Sequence, residues 1–520
     1  MQENFLIGIG GTGSRVLEAF VHCCAAGFGP KGTVNIMLID PDGANGNLNR
    51  TQKLVEQYRA LRDKLAPELE ATNPAFRTEL VTADSGFVWS VLADSNKTLA
   101  KYIDYDTLNA KEPSLAAAAN LLFTGQELNT ELNEGFRGHP AIGAVVMAEP
   151  PLEDPKSPLR LLTTLMAPNK TARIFLVGSI FGGTGAAGFP TIGKVLKQKL
   201  GGKWGSVLLG GALVLPYFSF KSSDSANSEQ MFVTPNDFPA ATKAALHYYD
   251  ENELAFDQYY FIGDSVTQEV GKFSTGTATQ ENDPHYIELA SALAVFDFFA
   301  QEQPKVGDGK QYFIAGRKSA QVSWDDLPIT RDNARLDGLR REFREDISTF
   351  TLFCYTYRTF GVDYLAKVRK EGRLDDNWFR KTFKDYSPSN YKSNPGHDEN
   401  RDLLDKKTVA YVDSFLKWIT DIAKNENVQL IDRQMLLDRN GPVVDADGRP
   451  RLPLQAPREN LGRLVYGYPA KKNHGDFTAN SLNGNVVDDV TKDAPYRLLN
   501  LFFRAAPDFL GFDKSTLVQR

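Results

Sequence analysis

Two glycine-rich segments, each placed between an apolar run and a helical pattern, constrain this chain most. Residues 8–14 read Gly-Ile-Gly-Gly-Thr-Gly-Ser and overlap the end of the apolar run Phe5–Ile9. Residues 178–188 read Gly-Ser-Ile-Phe-Gly-Gly-Thr-Gly-Ala-Ala-Gly and overlap the end of Ile174–Ser179. Glycine lets a backbone turn tightly and approach an oxyanion, and a helix N-terminus presents free N–H groups. Both segments are therefore predicted to be loops that bind phosphate.

Apolar strand patterns alternate with helical patterns through the first half of the chain. Further strands are predicted over Val34–Ile39, Val207–Leu215 and Gln258–Gly263. Helices are predicted over Arg15–Ala26, Leu48–Leu65, Thr191–Leu200 and Phe238–Asp250. Strands that are apolar throughout, separated by helices, are typical of a parallel sheet covered on both faces. The predicted fold class is α/β, with a Rossmann-like parallel sheet.

The second half loses this alternation. Helices are predicted over Asn333–Phe360, Thr408–Asn425 and Tyr496–Ala505, a loop over 386–401, and short strands with long loops over 440–495. A boundary is predicted near residues 303–312, where Pro and Gly recur. The expected organisation is a nucleotide-binding domain over residues 1–305 and an α+β C-terminal domain over residues 306–520.

Composition narrows the functional classes. A formal net charge of −6 disfavours general nucleic-acid binding. No apolar run reaches the roughly 18 residues of a membrane span, and residues 1–4 lack the basic start of a signal peptide. Cys23, Cys24 and Cys354 are expected to be buried, reduced thiols, which predicts a cytoplasmic protein. The histidines lie scattered, so no metal site built from protein side chains alone is predicted.

The first glycine loop on its own leaves two interpretations open. Gly8, Gly10 and Gly13 satisfy the Gly-x-Gly-x-x-Gly dinucleotide fingerprint, and Asp40 ends the second strand, where a ribose-binding acid lies. The loop is equally compatible with a turn that has only a structural role. The second loop favours a third interpretation, in which two strand ends hold one polyphosphate. A Rossmann-type dinucleotide-binding enzyme stays open as the alternative.

The second loop carries a family resemblance. Residues 181–188, Phe-Gly-Gly-Thr-Gly-Ala-Ala-Gly, resemble the Gly-Gly-Gly-Thr-Gly-Ser/Thr-Gly signature loop of the tubulin/FtsZ superfamily. They depart from it at Phe181 and at Ala186–Ala187, where the family supplies a hydroxyl. Gly10–Gly13 is similar to the family's first phosphate loop. The resemblance spans roughly residues 4–300 and is closest to the divergent bacterial tubulin-like proteins.

Other segments occur in the order that this family implies. By this resemblance, Asp40 belongs to the loop near the phosphates and the metal, and Gly143 belongs to the loop that senses the γ-phosphate. Pro216 belongs to the end of the strand that precedes the ribose-contacting loop. The central helix near residue 282 would read the base through Asp283 or Glu288, although Asp283 is as compatible with a helix N-cap. The implied nucleotide-binding residues are Gly10, Gly11, Thr12, Gly13, Asp40, Gly143, Gly182, Gly183, Thr184, Gly185, Pro216, Asp283 and Glu288.

The resemblance also implies GTP or GDP with Mg²⁺, and self-assembly into filaments by longitudinal stacking. In the family, an Asn-x-Asp-x-x-Asp loop of one subunit completes hydrolysis in the next subunit. The nearest match here is Asp325 and Asp326, although their spacing differs and the asparagine is absent. A solvated turn or a helix cap is the alternative for this pair. The resemblance therefore implies a slow GTPase or, if neither carboxylate reaches the γ-phosphate, a non-hydrolysing nucleotide-gated scaffold.

Overall fold

The strands of the N-terminal half are the predicted ones, with further short strands between and after them. The computed structural model describes residues 2–69, 74–90, 98–132, 136, 139–204, 206–221, 237–251, 256–265, 268–272, 281–300, 310–317, 320–328, 333–371, 376–386, 393–425, 427–436, 443–444, 450–451, 461–466, 468, 472–486 and 493–512. The described strands are β1 (Gln2–Ile9), β2 (Gly32–Ile39), β3 (Thr78–Val81), β4 (Val88–Trp89), β5 (Thr171–Ser179), β6 (Ser206–Val214), β7 (Phe218–Lys221), β8 (Gln258–Ile262), β9 (Gln268–Lys272), β10 (Gln311–Ala315), β11 (Val443–Val444) and β12 (Pro450–Arg451).

Helices make up most of the remaining described chain. They are α1 (Gly10–Ala26), α2 (Gly46–Leu69), α3 (Leu99–Tyr102), α4 (Tyr105–Lys111), α5 (Pro113–Leu122), α6 (Gly125–Leu128), α7 (Pro140–Val146), α8 (Leu161–Thr164), α9 (Gly183–Leu200), α10 (Asp237–Glu251), α11 (Tyr286–Ala300), α12 (Asn333–Thr356), α13 (Val362–Glu371), α14 (Asn377–Thr382), α15 (Asp398–Arg401), α16 (Thr408–Ile422), α17 (Arg433–Leu436), α18 (His474–Asp476), α19 (Asn483–Asn485) and α20 (Ala494–Leu510).

Eight of the strands form one parallel sheet, which confirms the predicted α/β Rossmann-like fold. The order across the sheet is β10-β8-β6-β5-β1-β2-β3, and β4 also pairs with the carboxyl end of β2. In register, Gly8 of β1 lies between Leu38 of β2 and Val177 of β5. The inner strands are buried along almost their whole length because helices cover both faces.

The strand order reverses between β1 and β5, which is the topological switch point of the sheet. From β1 the chain adds β2 and β3 on one side, and from β5 it adds β6, β8 and β10 on the other. In open parallel sheets, ligands bind outside the carboxyl ends of the strands at this reversal point. Both glycine loops come directly after these two strands, so the fold places them at the position where α/β sheets bind ligands.

The helix α11 is the described counterpart of the predicted central helix. It packs against α1 and against strands β5, β6 and β8. Nearly all of its residues are buried, and Phe298 lies so close to β6 that a Cβ on Gly210 would clash with its ring. A helix that is apolar on all sides is expected to lie inside a protein. Helix α11 therefore lies inside the protein, packed between α1 and the sheet.

The C-terminal helices share the hydrophobic core of the sheet. Helix α12 packs on α16, α20 and α1, while α16 packs on α2. The ring of His22 on α1 stacks on Trp418 of α16 with 4.7 Å between centroids. Among the described C-terminal residues, β11 and β12 form a two-residue antiparallel pair, and helices provide the rest of the regular structure.

The predicted boundary at residue 305 lies outside the described residues, which resume at residue 310. Strand β10 comes after that boundary and pairs with β8 in the main sheet. Much of the predicted loop-rich segment over 440–495, and residues 387–392 of the predicted polar loop, also lie outside the described residues. The division into two domains stays a prediction. None of the described helices is both long enough and apolar enough to cross a membrane.

Candidate functional site

The two glycine loops contact each other at the carboxyl edge of the sheet. Helix α1 begins at Gly10, directly after β1, and α9 begins at Gly183, four residues after β5 ends at Ser179. A Cβ added to Gly10 would lie 3.3 Å from the Cβ of Thr184 and 3.6 Å from the backbone nitrogen of Gly185. Two segments predicted separately, about 170 residues apart in the sequence, therefore build one surface.

Two glycines of the first loop are required by the backbone itself. Gly10 has φ of +72°, a left-handed conformation that residues with a Cβ rarely adopt. A Cβ on Gly13 would lie 2.7 Å from the carbonyl carbon of Gly8 and 2.8 Å from the carbonyl oxygen of Val177. The first turn of α1 is thus pressed onto the ends of β1 and β5, which fixes the direction of its free N–H groups.

The joined loops present the N-termini of two helices. The first turn of any α-helix has N–H groups without an intrahelical acceptor, and the helix dipole adds partial positive charge there. Thr12 is buried within the first turn of α1, and Thr184 is half-buried in the first turn of α9. The surface suits an anion with several oxygens, such as a polyphosphate.

Asp40 lies buried where the second strand has just ended, as predicted. It is 3% exposed, and its Oδ1 accepts a hydrogen bond of 3.0 Å from the backbone N–H of Asp42, which is 4% exposed. Burial raises the pKa of Asp40 to about 7, the Asp42 N–H lowers it in part, and the Asp42 charge raises it further. A carboxylate held in this state is stabilised by an added cation.

The carboxylates near the loop fit a magnesium ion that is shared with phosphates. Mg²⁺ takes one or two carboxylates together with water and phosphate oxygens rather than a complete protein cage. Asp40 and Asp42 would supply one or two such ligands. Among the described residues, no three His, Cys, Asp or Glu side chains cluster so as to hold a metal by themselves.

A buried polar network, which the sequence pattern did not indicate, lies beside the first loop. Arg15 is 4% exposed, and its Nε donates to Glu288 Oε1. Its Nη2 donates to the hydroxyls of Tyr217 and Thr12, and its Nη1 donates to Asn282 Oδ1. Burial alone would lower the pKa of Arg15, but Tyr217 and Glu288 outweigh burial and raise it. Arg15 is therefore a fixed cation that joins the loop to α11.

Glu288, predicted to read the base, has both carboxylate oxygens engaged. Its Oε1 accepts from Arg15 and, at 2.6 Å, from the hydroxyl of Tyr217, and its Oε2 accepts from the backbone N–H of His285 at 2.9 Å. Glu288 as a whole is 1% exposed. This geometry favours a positioning role, in which Glu288 holds Arg15 and Tyr217, over direct contact with a base.

Asp283, the second base-reading candidate, faces the C-terminal helices. Its carboxylate lies 3.2 Å from the Nζ of Lys424 and 3.9 Å from that of Lys417, and its side chain is half exposed. Helix α11 begins at Tyr286, so the proline at position 284 precedes the helix instead of starting it. The neighbouring Asn282 contacts the start of α2 and the Arg15 network, because its backbone N–H donates to Asn47 Oδ1 at 2.9 Å and its Oδ1 accepts from Arg15.

Gly143 and Pro216 flank the joined loops in different ways. Gly143 lies inside α7, where a Cβ would be 2.6 Å from the Cβ of Ala187, so it permits close packing of α7 on α9. Gly138, in the same predicted loop, lies outside the described residues. Pro216 is half-buried between β6 and β7, immediately before the buried Tyr217 of the network. A phosphate contact at Gly143 stays a prediction.

The two carboxylates predicted to act in hydrolysis have different surroundings. They lie on the short 3-10 turn Trp324–Asp326. Asp326 caps this turn, because its Oδ2 accepts 2.8 Å hydrogen bonds from both the backbone N–H and the Oγ of Ser323. Asp325 is exposed on the outer side of the turn. The helix-cap alternative describes Asp326, and Asp325 is the carboxylate that is open to a neighbouring molecule.

Comparison with known proteins adds no constraint on this site. No protein-family model and no curated protein matches the sequence. The geometry at the carboxyl edge of β1 and β5 is therefore the guide to function.

Proposed function

We propose that this chain is a tubulin/FtsZ-like GTP-binding protein that holds one nucleotide polyphosphate between its two glycine loops. The observation that carries the proposal is the contact between Gly10 and Thr184, which brings two helix N-termini to one point at the reversal of the sheet. A single loop would suffice for one phosphate group. Two converging N-termini suit a chain of two or three phosphates.

The charge balance at this point supports a metal–nucleotide complex as the ligand. The positive charge of Arg15 is already paired with Glu288, so it does not neutralise a triphosphate on its own. Asp40 and Asp42 are buried beside the loop and would gain from a divalent cation. When bound, Mg²⁺ would neutralise the phosphate oxygens and would lower the pKa of Asp40.

Assembly and hydrolysis belong to the same proposal. Head-to-tail stacking of subunits into filaments would bring Asp325 of one molecule to the γ-phosphate of the next, where a carboxylate would orient the attacking water. Asp325 is exposed, as such a role requires. With one available carboxylate, turnover would be slow. Three buried free thiols, at Cys23, Cys24 and Cys354, support a cytoplasmic location for the proposed protein.

A Rossmann-type dinucleotide-binding enzyme is the second candidate. The strand order is that of the dinucleotide-binding fold, and Asp40 comes immediately after β2, where an acid binds the ribose of NAD. A second buried carboxylate, that of Asp42, lies next to Asp40, and two neighbouring carboxylates suit a divalent cation better than a ribose contact. One half of a Rossmann fold needs a single phosphate-binding loop, and here a second glycine loop contacts the first.

The nucleotide content of the purified protein tests the proposal. The protein would be denatured and its supernatant separated by anion exchange, and the native protein would be pelleted with added GTP. We expect GTP or GDP in the supernatant, and pelleting that is lost in Gly183→Val and Thr184→Val but kept in Gly86→Ala, where an added Cβ meets nothing within 4 Å. Recovered NAD or FAD would establish the second candidate instead. Bound GTP without turnover would leave a nucleotide-gated scaffold.

A further inference from the structure

Strand β10 forms one end of the main sheet, and no described strand pairs with its outer edge. Among the described residues it pairs with β8 alone. Gln311 donates its N–H to Asp257 at 3.0 Å, and Ala315 accepts from the N–H of Gly263 at 3.1 Å, so these two residues face β8. Backbone groups alternate in direction along a strand. The N–H and C=O groups of Tyr312 and Ile314 therefore point away from the sheet.

The side chains of the same two residues form an exposed apolar pair. Tyr312 is 61% exposed and Ile314 is 86% exposed. They lie on the face where the ring of Tyr312 stacks on buried Tyr259, with 5.1 Å between centroids. Parallel sheets of this class have helices on both faces, and no described helix covers these two side chains. Within the part of the chain that the structure describes, the outward backbone groups and the side chains of Tyr312 and Ile314 are thus left uncovered.

Proteins usually protect an edge strand with a charge, a proline or a bulge. The opposite edge of this sheet obeys the rule, because the four-residue strand β3 carries the exposed carboxylate of Glu79. Strand β10 reads Gln-Tyr-Phe-Ile-Ala and has none of these devices. An unprotected apolar edge in a protein that must stay dispersed is expected to be covered by a specific partner.

The residues of β10 are complementary to a second copy of β10. If two copies run antiparallel about a two-fold axis at Phe313, Tyr312 of each lies opposite Ile314 of the other. Both residues direct their backbone groups outward, so each of these pairs can exchange two hydrogen bonds. The other face brings Phe313 against Phe313. Aromatic–aromatic and aromatic–β-branched pairs are favoured across strands, and a shift by one residue would lose the arrangement.

We propose that two copies of this chain associate through antiparallel pairing of their β10 strands, which joins the two sheets into one. Two-fold dimers are the commonest closed assembly, and this interface is self-complementary as they require. Two strands, β8 and β6, separate β10 from β5 and its glycine loop. The pairing is therefore lateral, distinct from the longitudinal stacking proposed above, and does not depend on nucleotide binding.

Light scattering after size-exclusion chromatography tests the pairing, with no nucleotide added. We expect the wild-type chain of 520 residues to have the mass of two copies and the Ile314→Lys variant that of one copy, with unchanged circular dichroism. Leu121→Lys is the matched control, since Leu121 is 88% exposed on α5 and distant from β10 in sequence. A wild-type protein of single mass, or a dimer that persists in Ile314→Lys, would overturn the proposal. Loss of the dimer in Leu121→Lys alone would assign the interface to α5.

A cysteine at the proposed axis tests the register. Two Phe313 residues face each other in a non-hydrogen-bonded pair, with a Cα separation that a disulfide can span. Under mild oxidation Phe313→Cys is expected to give a covalent dimer, and Leu121→Cys is not. Dimers without this cross-link would contradict the two-fold register. Gly183→Val should keep the dimer, so failure of nucleotide binding and failure of strand pairing are read separately.

Discussion

Arg15, on the first helix, forms a buried ion pair with Glu288, which lies 273 positions later on α11. The same guanidinium reaches the hydroxyls of Thr12 in the first glycine loop and of Tyr217 after β6. The pair therefore links the loop that begins α1 to the central helix. A change at either end is expected to affect both folding and the shape of the site.

Removal of Glu288 tests this link. Glu288→Ala leaves the Arg15 guanidinium buried without its carboxylate, and we expect a loss of about 3–5 kcal/mol in the free energy of unfolding. Glu281→Ala is the control, because Glu281 is largely exposed and its pair with Arg50 is worth less than about 1 kcal/mol. Urea unfolding measures both. The double variant Arg15→Met, Glu288→Leu should be less damaged than Glu288→Ala, and an equal loss would contradict the ion-pair account.

Asp40 should make stability depend on pH. Its pKa in the folded chain is about 7, above the ordinary value of 3.8, so the folded state binds this proton more tightly. Its contribution is therefore most favourable below about pH 4 and is lost as the pH rises to about 7. Asp40→Asn removes that loss, and we expect it to be about 2–4 kcal/mol more stable than the wild type at pH 8. The two proteins should converge at acidic pH.

Unfolding of both proteins across this pH range provides the measurement. Asp250→Asn, at an exposed position, is the control, and its stability relative to the wild type should not change with pH in this way. A stability difference between Asp40→Asn and the wild type that stays constant with pH would show that Asp40 is not the titrating group. Added Mg²⁺ with GTP is expected to reduce the difference, because a bound cation stabilises the carboxylate of Asp40.

Gly10 should be sensitive for two separable reasons. Gly10→Ala requires an alanine to adopt a left-handed backbone conformation, which costs about 1–2 kcal/mol. The added Cβ would also press against the Cβ of Thr184. Gly86→Ala has the same conformational cost at φ of +102°, but a Cβ there meets nothing within 4 Å. Both variants should lose similar stability in thermal unfolding, whereas only Gly10→Ala should weaken GTP binding in calorimetry. Equal affinities would mean that the contact between the loops does not shape the site.

The two acidic residues of the 3-10 turn should separate stability from turnover. Asp326→Ala removes the cap on Ser323 and is expected to cost about 1 kcal/mol, because a cap satisfies backbone N–H groups. Asp325→Ala should change stability by less than about 0.5 kcal/mol, since Asp325 is exposed. In a phosphate-release assay, Asp325→Ala should abolish any GTPase activity and keep GTP binding. Unchanged turnover in Asp325→Ala would remove it from the mechanism.

Local patterns in the sequence were sufficient to predict the strands and the covering helices of the sheet. The strands β1, β2, β5, β6 and β8 lie where apolar runs predict them. Helices α1 and α9, predicted to begin at Arg15 and Thr191, begin at Gly10 and Gly183, so the glycine segments form their first turns. This works because burial on both faces produces uninterrupted apolar strands, and because a glycine turn leaves a direct signature in the chain. The predicted positions of the two loops and of Asp40 came from the same signals.

The remaining features depend on contacts that are distant in the chain. Two of the partners of Arg15, Tyr217 and Glu288, lie 202 and 273 positions away, and no periodicity relates them to it. Gly143 was assigned to a loop from its small neighbours, yet it lies in α7, where the lack of a Cβ lets Ala187 of α9 pack against it. The role of Asp326 as a cap depends on the conformation of the turn at Ser323. Strand β10 has five residues, which is too short a segment for its sequence to predict that it joins the sheet.

Amide hydrogen exchange tests the central claim that one nucleotide is held by both loops. Exchange would be measured over residues 10–14 and 182–186, without ligand and with saturating GTP and Mg²⁺ or with NAD. We expect GTP with Mg²⁺ to slow exchange in both segments together, with Gly183→Val removing the protection of both. Protection by NAD confined to the first segment, or no protection by GTP in the second, would contradict the account.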